Sequence, residues 1–394
     1  MRKGWEYKKL GEVATFINGD RGKNYPSAKD FVESGVPFIN AGHLKNGIIR
    51  YDKMNYITIN KYNSLGSGKI IKNDILFCLR GSLGKYAIVA EDSMGAIASS
   101  LVIIRPFQNA DNRFIAHFLS SAKIKEYIAK NNNGSSQPNL SAKSVASFII
   151  PLPTLSTQLA IVSELDKINE LIRLKKEQLK DFDNLAQSLF YEMFGDPVEN
   201  EKGWEAKKLG EIGEFKNGLN FSKDENGHSI KFLGVSDFQN KKSIASDQLD
   251  CISLSECVQE DYLLKTGDIV FVRSNGKKEL IGRSVKMYIT EPTTYSGFCI
   301  RCRITDEKVD KDYIAILLKT PIIRQFMTNS GRGCNISNLN QKILNSIPTI
   351  LPPLPLQRLF AQRIEQIERE KSEVQKSIQD LETLLASRMQ YWFE

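Results

Sequence analysis

The chain contains two copies of one sequence unit, and this repeat constrains its fold more than any other feature. The segment Gly4–Glu12, GWEYKKLGE, returns as Gly203–Glu211, GWEAKKLGE, at an offset of 199 residues (203 − 4 = 199). Four more short matches keep that offset, beginning at Phe16, Phe114, Gly134 and Pro153. One register kept at separated places indicates a tandem duplication, so both copies should adopt the same fold.

Between the shared positions the two copies differ in sequence and in loop length. Asp74 matches Asp268 at an offset of only 194 (268 − 74 = 194), so the second copy has lost residues early and regains them near Lys277–Leu280. A common framework with unlike loops is expected when one scaffold carries two binding specificities.

A long helix is predicted after the first globular part. The stretch Pro151–Phe194 has no Pro or Gly after Pro153, and Gly195 with Pro197 ends it. At about 1.5 Å per residue this helix would be roughly 60 Å long. Apolar residues at spacings of three, four or seven form a seam along it, interrupted by Lys175 and Lys176: Leu165, Ile168, Ile172, Leu179, Phe182, Leu185, Leu189 and Met193.

The second copy ends in a similar helix, Pro355–Phe393. Its seam comprises Leu359, Ile364, Ile367, Val374, Ile378, Leu381, Leu385, Met389 and Trp392. We predict that the two helices pack against each other in antiparallel orientation, because a globular domain lies between them in the sequence. The alternative is that each helix lies on its own domain.

Each globular part, about residues 1–150 and 200–350, has the pattern of a mixed α and β domain. Short apolar runs predict strands at Val36–Asn40, Ile75–Leu79, Tyr86–Val89, Leu101–Ile104, Phe232–Val235, Ile269–Val272 and Phe298–Ile304. Helical spacing predicts helices at Asn112–Ala129 and Lys311–Met327. The predicted fold class is α+β, with two mixed domains in a pseudo-twofold tandem repeat and a pair of long helices.

The sequence contains no recognisable catalytic or metal-binding motif. Gly66–Lys69 resembles the end of a phosphate-binding loop but lacks its first glycine and its hydroxyl residue. Cys299 and Cys302 have no second pair of ligands, so we expect buried thiols and no zinc. The histidines at 43, 117 and 228 share no ligand spacing, and His117 is predicted to be a packing residue. Trp5 and Trp204 are predicted to be packed anchors and not base-stacking platforms.

Composition places few limits on function. The net charge of +8 permits nucleic-acid binding without proving it. The six scattered cysteines, the missing secretory signal and the lack of a long apolar stretch predict a cytoplasmic protein.

The arrangement resembles the specificity subunit of type I restriction–modification systems. The resemblance covers essentially the whole chain and depends on Gly4–Glu12 with its repeat, on the run at 134–141, and on Pro151–Gln158 and Pro352–Gln357 with the helices that follow. Thr157 and Leu356 precede the glutamines where many members of the family have glutamate.

The resemblance implies two target recognition domains, residues 1–153 and 197–352, and two spacer helices, residues 154–196 and 353–394. Each domain would read one half of a bipartite sequence in double-stranded DNA, and the helices would set the spacing and dock two modification subunits. Those subunits would bind S-adenosylmethionine, and restriction subunits would add ATP and Mg²⁺ chemistry. The chain itself would bind no cofactor or metal and would be non-catalytic.

Candidate DNA contacts follow from comparing the copies. Residues of shared type should contact phosphates or serve the framework, and residues that differ should read bases. The shared-type candidates are Arg80 and Ser82, Arg273, Ser274 and Asn275, and, in the polar loops, Ser135, Ser136, Gln137, Asn139, Arg332, Asn335 and Asn338. The differing candidates are Arg21, Lys23, Asn24, Asn40, His43 and Lys85 in copy one, and Asn220, Lys223, Ser236, Asp237, Gln239, Lys277 and Lys278 in copy two. Lys85 is matched with Lys277 and Lys278, and Arg80 with Arg273.

Other interpretations remain open at this point. The arginines could pair with carboxylates, the polar loops could be helix entries with Ser141 and Asn340 as N-caps, and single polar residues could be solvated. For the whole chain, the alternatives are a scaffold whose two domains bind protein or carbohydrate, an enzyme with an unrecognised motif, and the recognition subunit of a methylation-only complex.

Overall fold

The chain divides into two units, and each of them contains one copy of the repeat. The computed structural model describes residues 2, 4–131, 139–220, 223–238, 243–274, 280–329 and 339–394. Unit 1 comprises Met1–Glu177 and Gln375–Glu394, and unit 2 comprises Gln178–Val374. Both long helices therefore contribute residues to both units.

Unit 1 is built from short strands with helices between them. Its strands are β1 Glu6–Lys9, β2 Ala14–Asn18, β3 Phe31–Val32, β4 Val36–Ile39, β5 Leu44–Lys45, β6 Ile48–Ile49, β7 Asn55–Ile57, β8 Ile75–Cys78, β9 Tyr86–Ile88, β10 Ala96–Ile97, β11 Leu101–Pro106 and β12 Ile149–Leu152. Its helices are α1 Ile59–Ser64, α2 Asn112–Ser120, α3 Ala122–Asn131, α4 Ala142–Ala146 and the first part of α5 Leu155–Phe194. The larger sheets have the orders β2-β11-β8-β9 and β10-β4-β7-β3, and β1 pairs with β12.

Unit 2 repeats this plan with longer strands. Its strands are β13 Glu205–Lys208, β14 Gly213–Asn217, β15 Lys223–Leu233, β16 Ser243–Ala245, β17 Cys251–Leu254, β18 Ile269–Val272, β19 Ser284–Tyr288, β20 Thr293–Tyr295, β21 Cys299–Ile304 and β22 Pro348–Leu351. Its helices are α6 Leu209–Ile212, α7 Lys311–Leu317, α8 Pro321–Asn329, α9 Gln341–Asn345 and the first part of α10 Leu354–Phe393. The sheet orders are β14-β21-β18-β19-β16, β17-β15-β20 and β13-β22.

The central strand of each unit is buried on both faces. In β8, Ile75 and Phe77 belong to one apolar cluster, and Leu76 and Cys78 belong to another. Strand β18 divides its residues between two clusters in the same way. A strand covered on both sides needs apolar residues at every position, which explains why these two runs could be recognised in the sequence.

A buried carboxylate lies just before each central strand and pairs with an arginine of the neighbouring strand. Arg105 donates from Nε and Nη2 to the two carboxylate oxygens of Asp74, at 2.7 and 2.8 Å. Arg303 makes the same bidentate pair with Asp268, at 2.8 and 2.7 Å. The two aspartates are 0% and 2% exposed. Because an unpaired buried carboxylate would be costly, each pair fixes the strand register in its unit.

A buried glutamine attaches the start of each long helix to its globular part. Gln158 accepts a hydrogen bond from the amide of Asp111 at 2.9 Å and donates to the carbonyls of Asn109 and Pro153. Gln357 makes the equivalent contacts, including one from the amide of Asp310 at 2.8 Å. The shared glutamine of the repeat is therefore a framework residue.

Helices α5 and α10 pack together in each unit, which confirms the predicted pairing. In unit 1, Lys176 contacts Glu382 at 2.6 Å, and Arg388 donates from Nη2 to Glu164 at 3.1 Å. In unit 2, Lys371 contacts Asp183 at 2.6 Å. In unit 1, Glu164 of α5 contacts Arg388 of α10, and Lys176, further along α5, contacts the earlier residue Glu382. The two helices therefore run antiparallel.

The last residue of each long helix enters the core of a globular copy. Phe194, at the end of α5, is buried in unit 2 together with Tyr313 and Phe360. Phe393, at the end of α10, is buried in unit 1 with its ring centroid 5.2 Å from that of Phe114 and 5.8 Å from that of Phe118. Each long helix therefore starts in one core and finishes in another.

The predicted seams are correct except at two positions. Leu185 is 50% exposed and Leu359 is 41% exposed, whereas the neighbouring Phe360 is fully buried. Near its ends each helix packs on a globular copy as well as on its partner helix, so the buried face there departs from the simple repeat.

Several predicted elements have different bounds. Residues Asn112–Ala129 form two helices, because the backbone is extended at Ser121, and Pro321 starts a new helix in the second predicted segment. Strand β15 ends at Leu233 and is followed by a 3-10 turn. Pro151 belongs to β12, which pairs with β1, so it does not begin the helix.

Candidate nucleic-acid interface

The predicted contact residues of copy one that the structure describes lie at one end of its two larger sheets. Pairing between neighbouring strands brings these strand ends together. The pairs are Val102 with Asn18, Leu101 with Cys78, Phe77 with Tyr86, and Ile97 with Ile39. We call this surface rim 1 and define it as residues 18–24, 40–43, 80–85 and 98–100.

A glycine lets two segments of rim 1 approach closely. A Cβ atom on Gly19 would lie 2.8 Å from the carbonyl oxygens of Ile97 and Ala98. A Cβ atom on Gly218 would lie 2.1 Å from the carbonyl oxygen of Ser296. The Asn-Gly pair shared by both copies is therefore required by backbone contact, and it fixes the loop that follows each time.

Most of the described candidates in rim 1 are exposed. Arg21, Lys23, Arg80, Ser82 and Lys85 are exposed, whereas Asn24 and Asn40 are half-buried. Arg21 donates from Nη2 to the carbonyl of Ser99 at 3.5 Å, which places its loop against the start of β11. The backbone of Arg80 forms a bridge with that of exposed Asn139, so the end of the 134–141 loop also reaches this rim.

His43 has a structural role. It is 7% exposed, its Nδ1 accepts from the amide of Asn40 at 3.1 Å, and its Nε2 lies 3.2 Å from the carbonyl of Lys53. With both ring nitrogens engaged it has no free polar atom for a base edge, so the prediction of a contact by His43 is wrong. The side-chain oxygen of Asn40 caps the same turn by accepting from the amide of Gly42 at 2.8 Å.

The strand register corrects two of the predicted equivalences. In copy one the amide of Leu140 donates to the carbonyl of Leu79 at 2.8 Å, and in copy two the amide of the matching Leu339 donates to the carbonyl of Arg273 at 2.8 Å. Arg273 is therefore equivalent to Leu79. Arg80 therefore corresponds to Ser274, and the two arginines are not a shared pair. By the same register Lys85 corresponds to Arg283, and not to the lysines at 277 and 278.

Asn220, Ser236, Asp237, Arg273 and Ser274, candidates of copy two that the structure describes, lie at the equivalent end of its sheets. We call this surface rim 2 and define it as residues 217–220, 234–237, 273–274, 283 and 296–298. Asn220 and Ser236 are exposed, and Asp237 is half-buried and accepts from the amide of Gly234 at 2.8 Å. Arg273 and Ser274 are half-buried at the end of β18.

Some predicted contacts lie outside the described residues. These are Ser135, Ser136, Gln137, Gln239, Asn275, Lys277, Lys278, Arg332, Asn335 and Asn338, and for Lys223 only the backbone is described. The ends of the two polar loops are described, and there Ser141 accepts from the amide of Ser144 at 2.9 Å and Asn340 from that of Ile343 at 2.9 Å. The helix-cap interpretation is therefore confirmed for these two residues.

A histidine–aspartate pair connects α2 to α5 in unit 1. Nε2 of His117 lies 2.7 Å from Oδ1 of Asp166, and Arg113 donates to Oδ2 at 3.2 Å. The hydrogen bond from His117, with the charges of both partners, holds the pKa of Asp166 below its usual value. His117 is 9% exposed, which agrees with its prediction as a packing residue, and the structure adds this polar contact. The second copy has Ile316 and Glu365 at these positions.

The tryptophans and the paired cysteines have the predicted structural roles. Trp5 stacks on Trp392 with centroids 6.1 Å apart, and Trp204 donates from Nε1 to the carbonyl of Phe194 at 2.9 Å. Burial raises the pKa of the Cys299 and Cys302 thiols to about 12, so both stay protonated.

The described ranges contain neither a cluster of metal ligands nor a helix that could cross a membrane. No group of three or more His, Cys, Asp or Glu side chains in them could hold a metal ion. In the same ranges, no helix combines the length and the apolar character that a bilayer crossing requires.

Comparisons with known proteins agree with the repeat. The family model described as "Type I restriction modification DNA specificity domain" matches residues 2–181 and again residues 201–383. The specificity subunit of the StySPI type I restriction enzyme of Salmonella potsdam is 24% identical, and the match covers 99% of this chain and 88% of that protein. The EcoKI specificity subunit of Escherichia coli K12 is also 24% identical, over 96% and 85% of the two chains.

Two solved structures share the fold. One is the S subunit of a type I restriction–modification system from M. genitalium, with a TM-score of 0.55, 16% identity and coverage of 99% and 96%. The other comes from a structure that describes complex assembly and conformational transition of the type I R-M system, with a TM-score of 0.66, 19% identity and coverage of 99% and 97%.

Proposed function

Because the chain belongs to the type I restriction–modification DNA specificity family, we propose that each of its two units reads one half of a bipartite sequence in double-stranded DNA. The observation that carries this proposal is the contrast between framework and rim. The Asp–Arg pair, the buried glutamine and the Asn-Gly contact are the same in both units. The exposed side chains at the two rims differ, as two different half-sites require.

Arg80 is the strongest candidate for base recognition among the described residues. It is exposed, it follows the central strand directly, and its equivalent in unit 2 is Ser274. A residue that differs between copies at one structural position can distinguish two half-sites, and arginine binds guanine through two hydrogen bonds.

The long helices are the proposed docking surface for two modification subunits, and they set the spacing between the half-sites. On α5 in unit 1, four leucines remain 43 to 47% exposed: Leu155, Leu159, Leu171 and Leu174. In unit 2 a cavity of about 670 Å³ lies between α5, α7 and α10, lined by Phe190, Lys286 and Asp312 among others. Exposed apolar side chains in unit 1 and a concave site in unit 2 are each typical of protein-binding surfaces.

The chain is proposed to supply sequence recognition without catalysis. S-adenosylmethionine would be bound by the modification subunits, and ATP and Mg²⁺ by restriction subunits where these join the complex. This division of labour accounts for the missing motifs of a nuclease or methyltransferase in the sequence.

A map of methylated adenines in the source genome tests the proposal. We expect a two-part motif with a fixed gap, and replacing residues 1–150 with those of a relative should change one half of the motif and leave the other half and the gap unchanged. The matched experiment replaces residues 200–350 and should change only the other half. A one-part motif, or a motif that neither replacement alters, would refute two-domain reading.

A biochemical assay separates this function from the two alternative classes. The purified chain, incubated with S-adenosylmethionine, Mg²⁺ and DNA, should neither methylate nor cleave it, and activity of the chain alone would place it among the enzymes. With the modification subunits added, we expect salt-sensitive binding to the mapped sequence. Absence of that binding would favour a scaffold that binds no nucleic acid.

A further inference from the structure

A positive charge occupies the same position in each rim. Lys85 and Arg283 each follow a glycine with positive φ, of 80° at Gly84 and 77° at Gly282. Their carbonyls accept from the amides of Cys78 and Val272, the last residues of the central strands, at 2.8 and 2.9 Å. The two cations are therefore equivalent by backbone geometry, although no sequence motif marks them.

A second positive charge is shared by the helices next to these turns. Lys125 in α3 and Arg324 in α8 are 199 residues apart (324 − 125 = 199), which is the offset of the repeat. The preceding residues, Ile124 and Ile323, are both 0% exposed, so the two helices present the same face to the core. Lys125 and Arg324 themselves, which follow these isoleucines, are both exposed.

In each unit the turn and the helix that carry these two cations lie near each other. In unit 1, a Cβ atom on Gly84 would be 3.0 Å from the side chain of Ile128, which is one helical turn beyond Lys125. In unit 2, the pKa of Arg324 is lowered mainly because its guanidinium is partly removed from water. The positive charge of Arg283 lowers it further. The turn of unit 1 therefore packs on the adjacent helix, and in unit 2 the two guanidinium groups are near enough to interact.

We propose that each pair, Lys85 with Lys125 and Arg283 with Arg324, holds a phosphate of the DNA backbone. This inference rests on the proposed function and adds residues outside the rims to it. Unit 1 has lysine at both positions and unit 2 has arginine at both, so only the charge is common to the two copies. A residue that must read a base would depend on the shape of its donor group, whereas a phosphate contact depends mainly on charge.

Electrostatics explain what such pairs gain from a bound anion. A phosphate bound between two cations makes an attractive contact with each of them. Lys85 and Arg283 belong to the rims, so the same duplex could contact the pairs through its backbone and the other rim residues through its base edges. The pairs would then set the orientation in which Arg80 and the residues around it reach the bases.

The test is DNA binding by the full-length chain in complex with its modification subunits, measured over a range of salt concentrations on cognate and non-cognate duplexes. The variants are Lys85→Gln with Lys125→Gln, and Arg283→Gln with Arg324→Gln. The charge-retaining variants exchange Lys for Arg in unit 1 and Arg for Lys in unit 2. The matched control is Lys72→Gln with Lys265→Gln, which removes two exposed charges just before the central strands, at the opposite end from the rims.

Each neutralised pair should reduce the slope of log K against log salt by about 0.9, the value for one lost phosphate contact. Affinity should fall by the same factor on both duplexes, and the charge-retaining variants should restore it. An unchanged slope, a loss confined to cognate DNA, or an equal loss in the control would overturn the inference. If the unaltered complex bound neither duplex, the proposed function itself would fail.

Discussion

Replacement of Phe393 by alanine should destabilise unit 1 and leave unit 2 unchanged. Phe393 is 1% exposed, and its ring contacts those of Phe114 and Phe118 in the core of unit 1. Truncation of a buried phenylalanine costs about 3 to 5 kcal/mol, because the lost transfer free energy is joined by the cavity left behind. We expect a loss of that size, since the ring is enclosed by side chains from several elements.

The three tryptophans allow each unit to be followed by itself. Trp5 and Trp392 belong to unit 1 and Trp204 belongs to unit 2, and no other tryptophan occurs in the chain. Urea unfolding monitored by fluorescence in a Trp204→Phe background reports on unit 1. The same measurement with Trp5 and Trp392 replaced by phenylalanine reports on unit 2.

Two control variants make this prediction sharp. Leu384→Ala removes a side chain that is 46% exposed on the same helix, and it should change the free energy of unfolding by no more than about 0.5 kcal/mol. Phe194→Ala should give the mirror-image result, with the loss in unit 2. If Phe393→Ala cost unit 1 less than about 1 kcal/mol, or lowered both units equally, the inference that α10 completes the first core would be refuted.

Three further predictions concern single side chains. The pKa of Asp166 is lowered in the folded state, so the stabilising effect of its charge is present above its ordinary value of 3.8 and is lost as the pH falls through the lowered folded pKa. Asp166→Asn should therefore destabilise unit 1 at pH 7, this destabilisation should shrink as the pH falls below 3.8, and a difference that is constant with pH would contradict this. Gln357→Leu should lower the free energy of unfolding of unit 2 by about 2 kcal/mol or more, because it leaves buried backbone groups unpaired. The control Gln362→Leu, at an exposed position, should lower it little, and equal losses would contradict the framework role of Gln357. Arg80→Ala should reduce discrimination in one half-site by about 1 to 3 kcal/mol, measured as relative affinity for single-base substitutions, and an effect on both half-sites would count against base reading.

The sequence predicted the elements that have strong local patterns. The two long helices extend over 40 residues each with an apolar seam, and the central strands are continuous apolar runs, so both were recognised. The strand β1, with the sequence EYKK, has no such pattern and exists because it pairs with β12. A strand of four polar residues gains its stability from its partner, which lies far away in the sequence.

The candidate surface was predicted in part. Loop comparison found most of rim 1, because its exposed polar residues differ between the copies. The predicted equivalence of Arg80 with Arg273 was wrong by one residue. The loops that follow the two central strands differ in length, so only the strand register shows which residues of the two copies are equivalent. A shift of one position in an extended segment reverses the direction of the side chain, so such an error changes the inferred role. The burial of His43 depends on the fold of its loop, for which the sequence has no periodic signal.

The position of Phe393 also governs the order in which the protein can be completed during translation. Met1–Glu177 leaves the ribosome long before Gln375–Glu394, with which it forms unit 1. At typical rates of about 5 to 20 residues per second, synthesis of the intervening segment 178–374 takes roughly 10 to 40 s. For that time the nascent first domain lacks the side chain that closes its core and exposes apolar surface to chaperones and proteases. A finished unit 1 can therefore exist only in chains whose second copy has already been made.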